Sequence, residues 1–189
     1  KNVISCDNLV FNLGYSPIAN NYLSKRELLL PESKYPLRLF KCKKCHLIQT
    51  EDFVRREEMF NNKYAYQSSF SSSWLSHAKK YTKDISKILK LDKSSLVVEI
   101  ASNDGYLLQY FKKMGINCYG VEPTKSSAAI AIKKGIKTYV NFFGTVTALK
   151  LKKKGLADLI IANNVVAHVP DLNDFIKGFR YLIKKDGIL

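Results

Sequence analysis

The stretch that decides the fold is Ser95-Leu-Val-Val-Glu99-Ile-Ala101-Ser-Asn103-Asp104-Gly105. Its first half is a short apolar run rich in branched side chains, which predicts a buried strand over residues 96–101. A turn of small residues follows, and a helix is predicted over residues 104–114. In an open α/β sheet, ligands bind at the carboxyl ends of the strands, beside the amides of the next helix. We therefore expect a ligand at the end of this strand.

The alternation of strand and helix continues to the end of the chain. Strands are predicted over residues 117–121, 136–140 and 157–162, helices over residues 126–134, 145–154 and 171–184, and the opening of a fifth strand over residues 187–189. This pattern predicts a Rossmann-like α/β domain over residues 94–189, with a parallel sheet between two layers of helices. Because the pattern stops within an element, we expect a fragment whose C-terminal part is missing, and the start without methionine predicts truncation at the N-terminus as well.

The residues ahead of this domain fall into two further segments. Residues 1–60 lack long periodic stretches and contain several turn residues, which predicts a small, loop-rich module that needs a metal to hold it. Residues 61–93 are predicted to be a linking segment. Within it, apolar residues three and four apart predict an amphipathic helix over residues 71–91, preceded by a serine-rich loop and helix cap.

Charge and cysteine content limit the partners. The chain has 31 basic and 16 acidic residues among 189, giving a formal net charge of +15. Such a basic surface favours polyanionic partners, but the many lysines can equally reflect a compositional bias of the genome. The net charge therefore does not identify the partner. No apolar run approaches the roughly 18 residues that a membrane span needs, and no signal peptide is recognisable, so no membrane partner is expected. Four cysteines, two of them in one C-x-x-C, favour a reducing cytoplasm.

The cofactor is predicted from the loop and from the next acid. Glu122 follows the second strand, 23 residues after Glu99, where it would accept hydrogen bonds from both ribose hydroxyls; the alternative is an ordinary strand-end carboxylate. A nicotinamide dinucleotide requires G-x-G-x-x-G for its pyrophosphate, and this loop has only Gly105. S-adenosylmethionine has no phosphate, so the loop favours it. The candidate cofactor residues are Glu99, Ala101, Ser102, Asn103, Gly105, Glu122, Pro123 and Phe143, the last either stacking on adenine or lying in the core.

Longer motifs stand in a fixed order. They are Leu13-Gly-Tyr-Ser-Pro-Ile-Ala-Asn20, Tyr35-Pro-Leu37, Cys42-Lys-Lys-Cys45-His-Leu-Ile-Gln49, Tyr64-Ala-Tyr-Gln-Ser-Ser69, Glu99-Ile-Ala-Ser-Asn-Asp-Gly105, Gly120-Val-Glu-Pro123 and Ile161-Ala-Asn-Asn-Val-Val-Ala-His168-Val-Pro-Asp171. Over nearly the whole chain they resemble nucleotide-sugar C-methyltransferases of deoxysugar biosynthesis. The resemblance implies a zinc domain, a Rossmann-like class I S-adenosylmethionine domain with its parallel sheet truncated here, and a C-terminal domain. It also implies methylation at C3 of a 4-keto deoxyhexose, usually dTDP-linked.

The resemblance is incomplete at two points. The family's Tyr-His-Glu-His segment, which carries the base in the C-terminal domain, has no counterpart in these residues. Ala101 also stands where methyltransferase loops usually have glycine.

A metal site is predicted at Cys42 and Cys45, because two thiolates on one tight turn can occupy two corners of a zinc tetrahedron. Family zinc sites add a second C-x-x-C near the N-terminus, where this chain has Cys6 alone. Cys6 is therefore either a third ligand or a small core residue, and the missing pair is expected before Lys1. His46 and Cys118 are expected to be structural.

The catalytic residues are predicted from the chemistry of carbon methylation. A proton at C3 beside a C4 ketone is acidic enough to leave if the resulting oxyanion is stabilised. His168, just past the fourth strand, is predicted to donate a hydrogen bond to that oxyanion, the alternative being an ordinary loop histidine. One of the two preceding asparagines, Asn163 or Asn164, is predicted to hold the amino-acid end of the cofactor. Tyr66 is a candidate catalytic residue, and Tyr64 and Ser68 are candidates for cofactor contact, unless this segment is simply a helix cap with packed aromatic rings.

Two other classes of protein were weighed against this interpretation. A nucleic-acid methyltransferase would bind its substrate with the basic surface and with the metal turn at Cys42 and Cys45. It would, however, require an Asn-Pro-Pro-Tyr-like tetrad after the fourth strand. Asn163-Asn-Val-Val stands there instead, so a nucleic-acid partner is not expected. A non-catalytic module that binds S-adenosylmethionine or a nucleotide remains open.

Overall fold

The computed structural model describes residues 8–61 and 63–189. The chain forms two compact units, Lys1–Ala65 and Tyr66–Leu189. Most of the segment that the sequence assigned to a linker therefore belongs to the second unit. None of the helices in the described part of the chain combines the length and the hydrophobicity that a bilayer span requires.

The N-terminal unit is built on a small antiparallel sheet. Its strands are β1 (Leu9–Ser16), β2 (Tyr35–Lys41) and β3 (Ile48–Gln49), and a short helix α1 (Arg56–Met59) follows. Two hydrogen bonds of 2.7 Å join the guanidinium of Arg38 on β2 to the carboxylate of Glu51 just beyond β3. Among the described residues of this unit, only Phe40 and Cys42 are buried hydrophobic side chains, so its apolar core is small.

The second unit is a five-stranded sheet between helices. The strands are β4 (Leu96–Ile100), β5 (Asn117–Val121), β6 (Thr138–Tyr139), β7 (Ala157–Ile161) and β8 (Ile183–Ile188). They lie in the order β6-β5-β4-β7-β8, and every neighbouring pair is parallel. The helices are α2 (Ser72–Ile88), α3 (Leu108–Lys113), α4 (Lys125–Lys133), α5 (Thr145–Lys152) and α6 (Leu172–Leu182). The predicted Rossmann-like α/β domain is confirmed.

The core lies on both faces of the sheet. Val98 packs in a cluster with Phe175 and Leu182, whereas its neighbour Val97 packs with Phe111 in a second cluster. Because successive side chains of a strand point to opposite faces, α5 and α6 cover one face and α2, α3 and α4 cover the other. Burial on both faces explains why these strands are continuous apolar runs in the sequence.

Several element boundaries differ from the prediction, most clearly those of α3, α6 and β8. Helix α3 begins at Leu108, one turn later than expected. Asn103 and Gly105 have φ angles of 50° and 75°, which a right-handed helix excludes, so these residues belong to the loop. The loop amides, rather than the first helical turn, therefore face the end of β4. Strand β8 begins at Ile183, directly after α6, so the helix ends two residues earlier and the strand starts earlier than predicted.

The order of the strands locates the ligand crevice. The chain runs outward from β4 to β5 and β6 on one side, and then returns to place β7 and β8 on the other side. The direction of winding therefore reverses between β4 and β7, and ligands of such sheets bind in the crevice at the carboxyl ends of the strands flanking that point.

Gly120 on β5 lets the loop between β4 and α3 approach the sheet, and this close packing can be tested. A Cβ at Gly120 would stand 2.1 Å from Oγ and 2.7 Å from Cβ of Ser102. We expect Gly120→Ala to lower the free energy of unfolding by about 1–3 kcal/mol through overpacking, measured by urea denaturation. Combining it with Ser102→Gly should recover most of that loss relative to Ser102→Gly alone. Additive losses in the double variant would show that crowding against Ser102 is not the cause.

Candidate functional site

The loop between β4 and α3 makes a tight left-handed path. Ala101, Asn103 and Gly105 have φ angles of 55°, 50° and 75°. The amide of Ala101 donates to the carbonyl of Val121 at 2.8 Å, which anchors the start of the loop to β5. A Cβ at Gly105 would lie 2.4 Å from Cδ1 of Ile136, so glycine is required there for space as well as for its φ angle.

Glu122, directly after β5, is held against this loop. It is 4% exposed, its Oε2 accepts a 2.9 Å hydrogen bond from the amide of Asn103, and its Oε1 accepts a 2.8 Å bond from the amide of Thr124. Burial raises the pKa of Glu122, the hydrogen bonds from Thr124 and Asn103 oppose that rise, and the charge of Asp104 adds to it. Each carboxylate oxygen keeps a second lone pair, so the group can also accept hydrogen bonds from ligand hydroxyls.

Glu99 lies inside β4 and is 1% exposed. Neither of its carboxylate oxygens makes a hydrogen bond of standard geometry. Burial raises the pKa of Glu99 well above its usual range; the neighbouring Tyr106 hydroxyl opposes the rise, and the charges of Glu122 and Asp104 add to it. A strongly perturbed acid beside a crevice is typical of a functional site, and a nearby cation would stabilise its charged form.

The electrostatics of the loop discriminate between cofactors. Glu99, Asp104 and Glu122 are all buried around it, and the charges of Asp104 and Glu122 raise the pKa of Glu99. Three acids in one buried region disfavour a pyrophosphate and favour a cation that also carries hydroxyl groups. S-adenosylmethionine has that chemistry, with a sulfonium, an ammonium and a ribose. The residues of the loop therefore fit this cofactor.

A cavity of about 200 Å³ lies at the same end of the sheet. Its lining residues come from α2, from the residues just before α3 and from the loop after β7. They are Trp74, His77, Ala78, Tyr81, Tyr106, Leu107, Asn163 and Asn164. Trp74 stacks on His77 and on Tyr106, with ring centroids 5.1 Å and 6.0 Å apart. Nδ2 of Asn163 donates to the Tyr106 hydroxyl at 3.5 Å. Asn163, predicted from the sequence, thus shares one cavity with aromatic residues that were not predicted.

The sequence contained a signal for these aromatic residues. Trp74, His77 and Tyr81 are spaced three and four residues apart, which places them on one face of α2. In the sequence alone, however, the same spacing predicts only the core-facing side of an amphipathic helix.

The segment before α2 is tied to the loop through its backbone. Oδ1 of Asn103 accepts from the amide of Ser68 at 2.9 Å, and Nδ2 of Asn103 donates to the carbonyl of Tyr66 at 3.2 Å. Ser68 is buried, and the side chain of Tyr66 is half-exposed. The predicted cap is present at Ser71, whose Oγ accepts from the amide of Trp74 at 3.2 Å. Tyr64 belongs to the N-terminal unit, where its ring meets Phe60 edge-on at 5.2 Å.

Three further residues predicted from the sequence, Phe143, Pro123 and His168, lie in three different environments. Phe143, the candidate for adenine stacking, lies instead in the core, with ring centroids 5.4 Å from Phe175 and 5.2 Å from Phe179, so its faces are used by other rings. Pro123 is partly exposed next to Glu122. His168 is exposed at the end of the 3-10 turn Val166–His168, which follows β7.

The cysteine knuckle forms the turn between β2 and β3. The amide of Cys42 donates to the carbonyl of Leu47, and the amide of His46 donates to the carbonyl of Cys42, both at 2.9 Å. Cys42 is buried and Cys45 is exposed. Within residues 8–61 and 63–189, no three His, Cys, Asp or Glu side chains converge to hold a metal ion, and Cys6 lies outside the described residues. The described donors therefore supply two of the four positions that a structural zinc requires.

Cys118 is not suited to bind a metal ion. Burial raises the pKa of its thiol to about 11, so the thiol stays protonated at neutral pH. It is a core residue of β5, as the sequence indicated.

Two family models match the chain. One, described as "Methyltransferase domain", matches residues 74–189, which is more than half of the chain. The other, described as "Putative zinc binding domain", matches residues 5–60. The loop at residues 101–105 and the three buried acids Glu99, Asp104 and Glu122 lie within the first match.

Among similar proteins, the C-methyltransferase NovU of Streptomyces niveus is 28% identical over 180 residues, covering 95% of this chain and 43% of that protein. A ubiquinone biosynthesis O-methyltransferase of Bradyrhizobium diazoefficiens is 26% identical over 94 residues, covering 49% of this chain and 37% of that protein. The chain thus spans less than half the length of these relatives.

Among solved structures, the sugar N-methyltransferase KedS8 from Streptoalloteichus sp. ATCC 53650 has a TM-score of 0.48 at 12% identity, covering 60% of this chain and 47% of that one. DesVI of Streptomyces venezuelae has a TM-score of 0.48 at 16% identity, covering 66% and 57%.

The raised pKa of Glu99 predicts how stability depends on pH. A carboxyl whose pKa is higher in the folded than in the unfolded protein stabilises the fold at acid pH, and this contribution is lost as the pH rises through the folded-state pKa. We expect Glu99→Gln to be more stable than the wild type at pH 8, with a difference that shrinks toward pH 5, measured by urea denaturation. Asp84→Asn, which removes an exposed acid whose pKa Lys80 lowers, should give no such gain. A pH-independent effect of Glu99→Gln would contradict this assignment.

Proposed function

Because the chain belongs to the family of methyltransferase domains that matches residues 74–189, we propose that it acts in methyl transfer from S-adenosylmethionine. The observation that carries this proposal is the carboxylate of Glu122 held 2.9 Å from the amide of Asn103 at the carboxyl end of the sheet. Glu122 would accept hydrogen bonds from the ribose hydroxyls, and Glu99 would lie beside the positive charge. The bound cofactor supplies an electrophilic methyl group on sulfur.

We propose that the acceptor is C3 of a 4-keto deoxyhexose linked to a nucleoside diphosphate, and that this nucleotide is dTDP. The similarity to the C-methyltransferase NovU extends over 95% of this chain and supports a sugar-carbon acceptor. The cavity beside Tyr106 supports a sugar as well. Its volume of about 200 Å³ suits one pyranose ring, its aromatic walls offer flat apolar faces, and Asn164 offers an amide for hydroxyl groups. The proposed role of Asn163 is to bind the amino-acid end of the cofactor.

In the proposed reaction, a base removes the C3 proton and the electron pair moves onto the C4 oxygen. The proposed role of His168, exposed after β7, is to donate a hydrogen bond to that oxyanion. Tyr66, half-exposed beside the loop, would position the sugar with its hydroxyl. S-adenosylmethionine, held by Glu122 and the loop amides, would supply the methyl group to C3 and would thereby be converted to S-adenosylhomocysteine. We propose that the base lies in a further C-terminal domain, as the family resemblance implies.

We also propose that the N-terminal unit holds a structural zinc ion through Cys42 and Cys45. The turn that carries them is closed by two 2.9 Å backbone hydrogen bonds, and the small core of the unit would benefit from such a cross-link. Cys6 is the proposed third ligand. A reducing cytoplasm, the proposed location, would keep these thiols able to bind metal.

Calorimetric titration tests the proposed function as a whole. The protein is expected to bind S-adenosylmethionine and then a dTDP-4-keto deoxysugar, with neither affinity changed by an RNA competitor. Displacement of either ligand by RNA, together with methylation of the RNA, would sink the sugar assignment. Binding of both ligands without turnover in a chain that includes the C-terminal domain would leave only a binding module.

The role of His168 predicts a selective loss of turnover. In the enzyme that includes the C-terminal domain, His168→Ala should lower kcat about 100-fold, the usual size of losing one oxyanion donor. Exchange of the C3 hydrogen with D₂O, followed by NMR with S-adenosylhomocysteine bound in place of the cofactor, should slow to a similar extent. The affinity for S-adenosylmethionine should change less than about twofold. His46→Ala serves as the control, and equal losses in turnover and cofactor affinity would argue against the oxyanion role.

The zinc proposal predicts a stoichiometry. The purified protein should contain about one zinc ion, measured by plasma mass spectrometry, and Cys42→Ser or Cys45→Ser should lose it. Cys118→Ser is the matched control and should retain the metal. If Cys6→Ser also retains it, Cys6 is a core residue rather than a ligand. Zinc retained by the Cys42→Ser variant would refute the knuckle.

A further inference from the structure

We propose that Lys134 is a positioning residue for the cofactor site, because its ammonium fastens residues 66–69 to the loop through Asp104. This inference rests on the proposed function, since it concerns the same loop. The groups involved are the side chains of Ser69, Asn103, Asp104 and Lys134, which we call the clasp. They join three separate parts of the chain, namely residues 66–69, the loop at residues 101–105 and the end of α4.

The first half of the clasp is the side chain of Asn103. Both ends of its amide bind the backbone of the preceding segment, the oxygen to the amide of Ser68 at 2.9 Å and the nitrogen to the carbonyl of Tyr66 at 3.2 Å. The backbone amide of the same residue donates to Glu122 at 2.9 Å. A displacement of residues 66–69 would therefore pull on the residue that holds Glu122 in place.

The second half is centred on Asp104, which is fully buried. Its Oδ2 accepts from the hydroxyl of Ser69. Nζ of Lys134 donates to the carbonyl of Asp104 at 2.9 Å and lies 3.5 Å from both Oδ2 of Asp104 and Oγ of Ser69. The side chain of Lys134 is only 31% exposed, so its charge reaches these groups with reduced solvent screening.

The charge of Lys134 matters because of the acids around it. Asp104 is buried near Glu99 and Glu122, and removing the partner of a buried carboxylate leaves a charge that the site must neutralise or expose to water. Either response moves Ser69, because Ser69 shares Asp104 with Lys134. Helix α4 cannot follow freely, since Ala131 packs beside Gly105 and Ile136. Loss of Lys134 should therefore open residues 66–69 rather than shift the helix.

The test replaces the ammonium and follows two independent signals. We expect Lys134→Met to weaken binding of S-adenosylmethionine about tenfold by calorimetry, the order of effect found for networked charge pairs. The amide of Ser68, which donates to Asn103, should exchange hydrogen at least about tenfold faster by NMR, since local opening sets its rate. Lys134→Arg should restore most of both properties. Lys133→Met, an exposed neighbour on the same helix, should behave as the wild type.

Each outcome bears on the clasp. Unchanged affinity with Lys134→Met overturns the proposal, whether or not Ser68 becomes unprotected, because the clasp would then not serve the site. Should Lys134→Met fail to fold, Ser69→Ala removes only a hydroxyl and is expected to reproduce the loss of affinity and of Ser68 protection. If the wild type does not bind S-adenosylmethionine, the proposed function fails first. The exchange rate of Ser68 in Lys134→Met still decides whether the clasp exists.

Discussion

The hydrogen bond from the amide of Asn103 to the carboxylate of Glu122 is the contact on which the rest of the site depends. It joins the loops that follow two adjacent parallel strands, β4 and β5, at 2.9 Å. The left-handed backbone of Asn103 directs the amide toward Glu122, and Gly120 leaves room for Ser102 beside β5. The side chain of Asn103 also binds the backbone of Tyr66 and Ser68. The position of the segment ahead of α2 is therefore coupled to the hydrogen bond between Asn103 and Glu122.

The second constraint is electrostatic. Glu99 has no hydrogen bond of standard geometry in a place where water cannot solvate it, and Asp104 and Glu122 are buried close by. Such an arrangement destabilises the ligand-free fold, and proteins retain it mainly where function requires it. A cation with hydroxyl groups would relieve both problems together, since it would offset the charge of Glu99 and use the free lone pairs of Glu122.

Local pattern predicted most of the second unit and the position of Glu122 beside the loop of the candidate site. The strands were recognisable because both faces of the sheet are covered, and Glu122 was placed because a strand-end acid sits at a fixed point in this fold. The pattern failed where distant residues decide the outcome. Nothing local distinguishes Lys134 from its lysine neighbours, and Phe143 faces Phe175 and Phe179 through tertiary packing. The start of α3 was misplaced because Gly105, which lies inside the predicted helix, takes a left-handed φ angle of 75° that glycine permits but does not require.

The uneven distribution of buried side chains has a consequence for how the chain would come apart. Residues 66–189 have a core on each face of their sheet, whereas Phe40 and Cys42 are the buried apolar side chains among the described residues of the first unit. Oxidants that convert exposed thiols such as Cys45 to sulfenic acid would act on the weaker unit while sparing the stronger one. A single melting temperature would then not describe this molecule, because oxidation and heat would each unfold the N-terminal unit before the second unit.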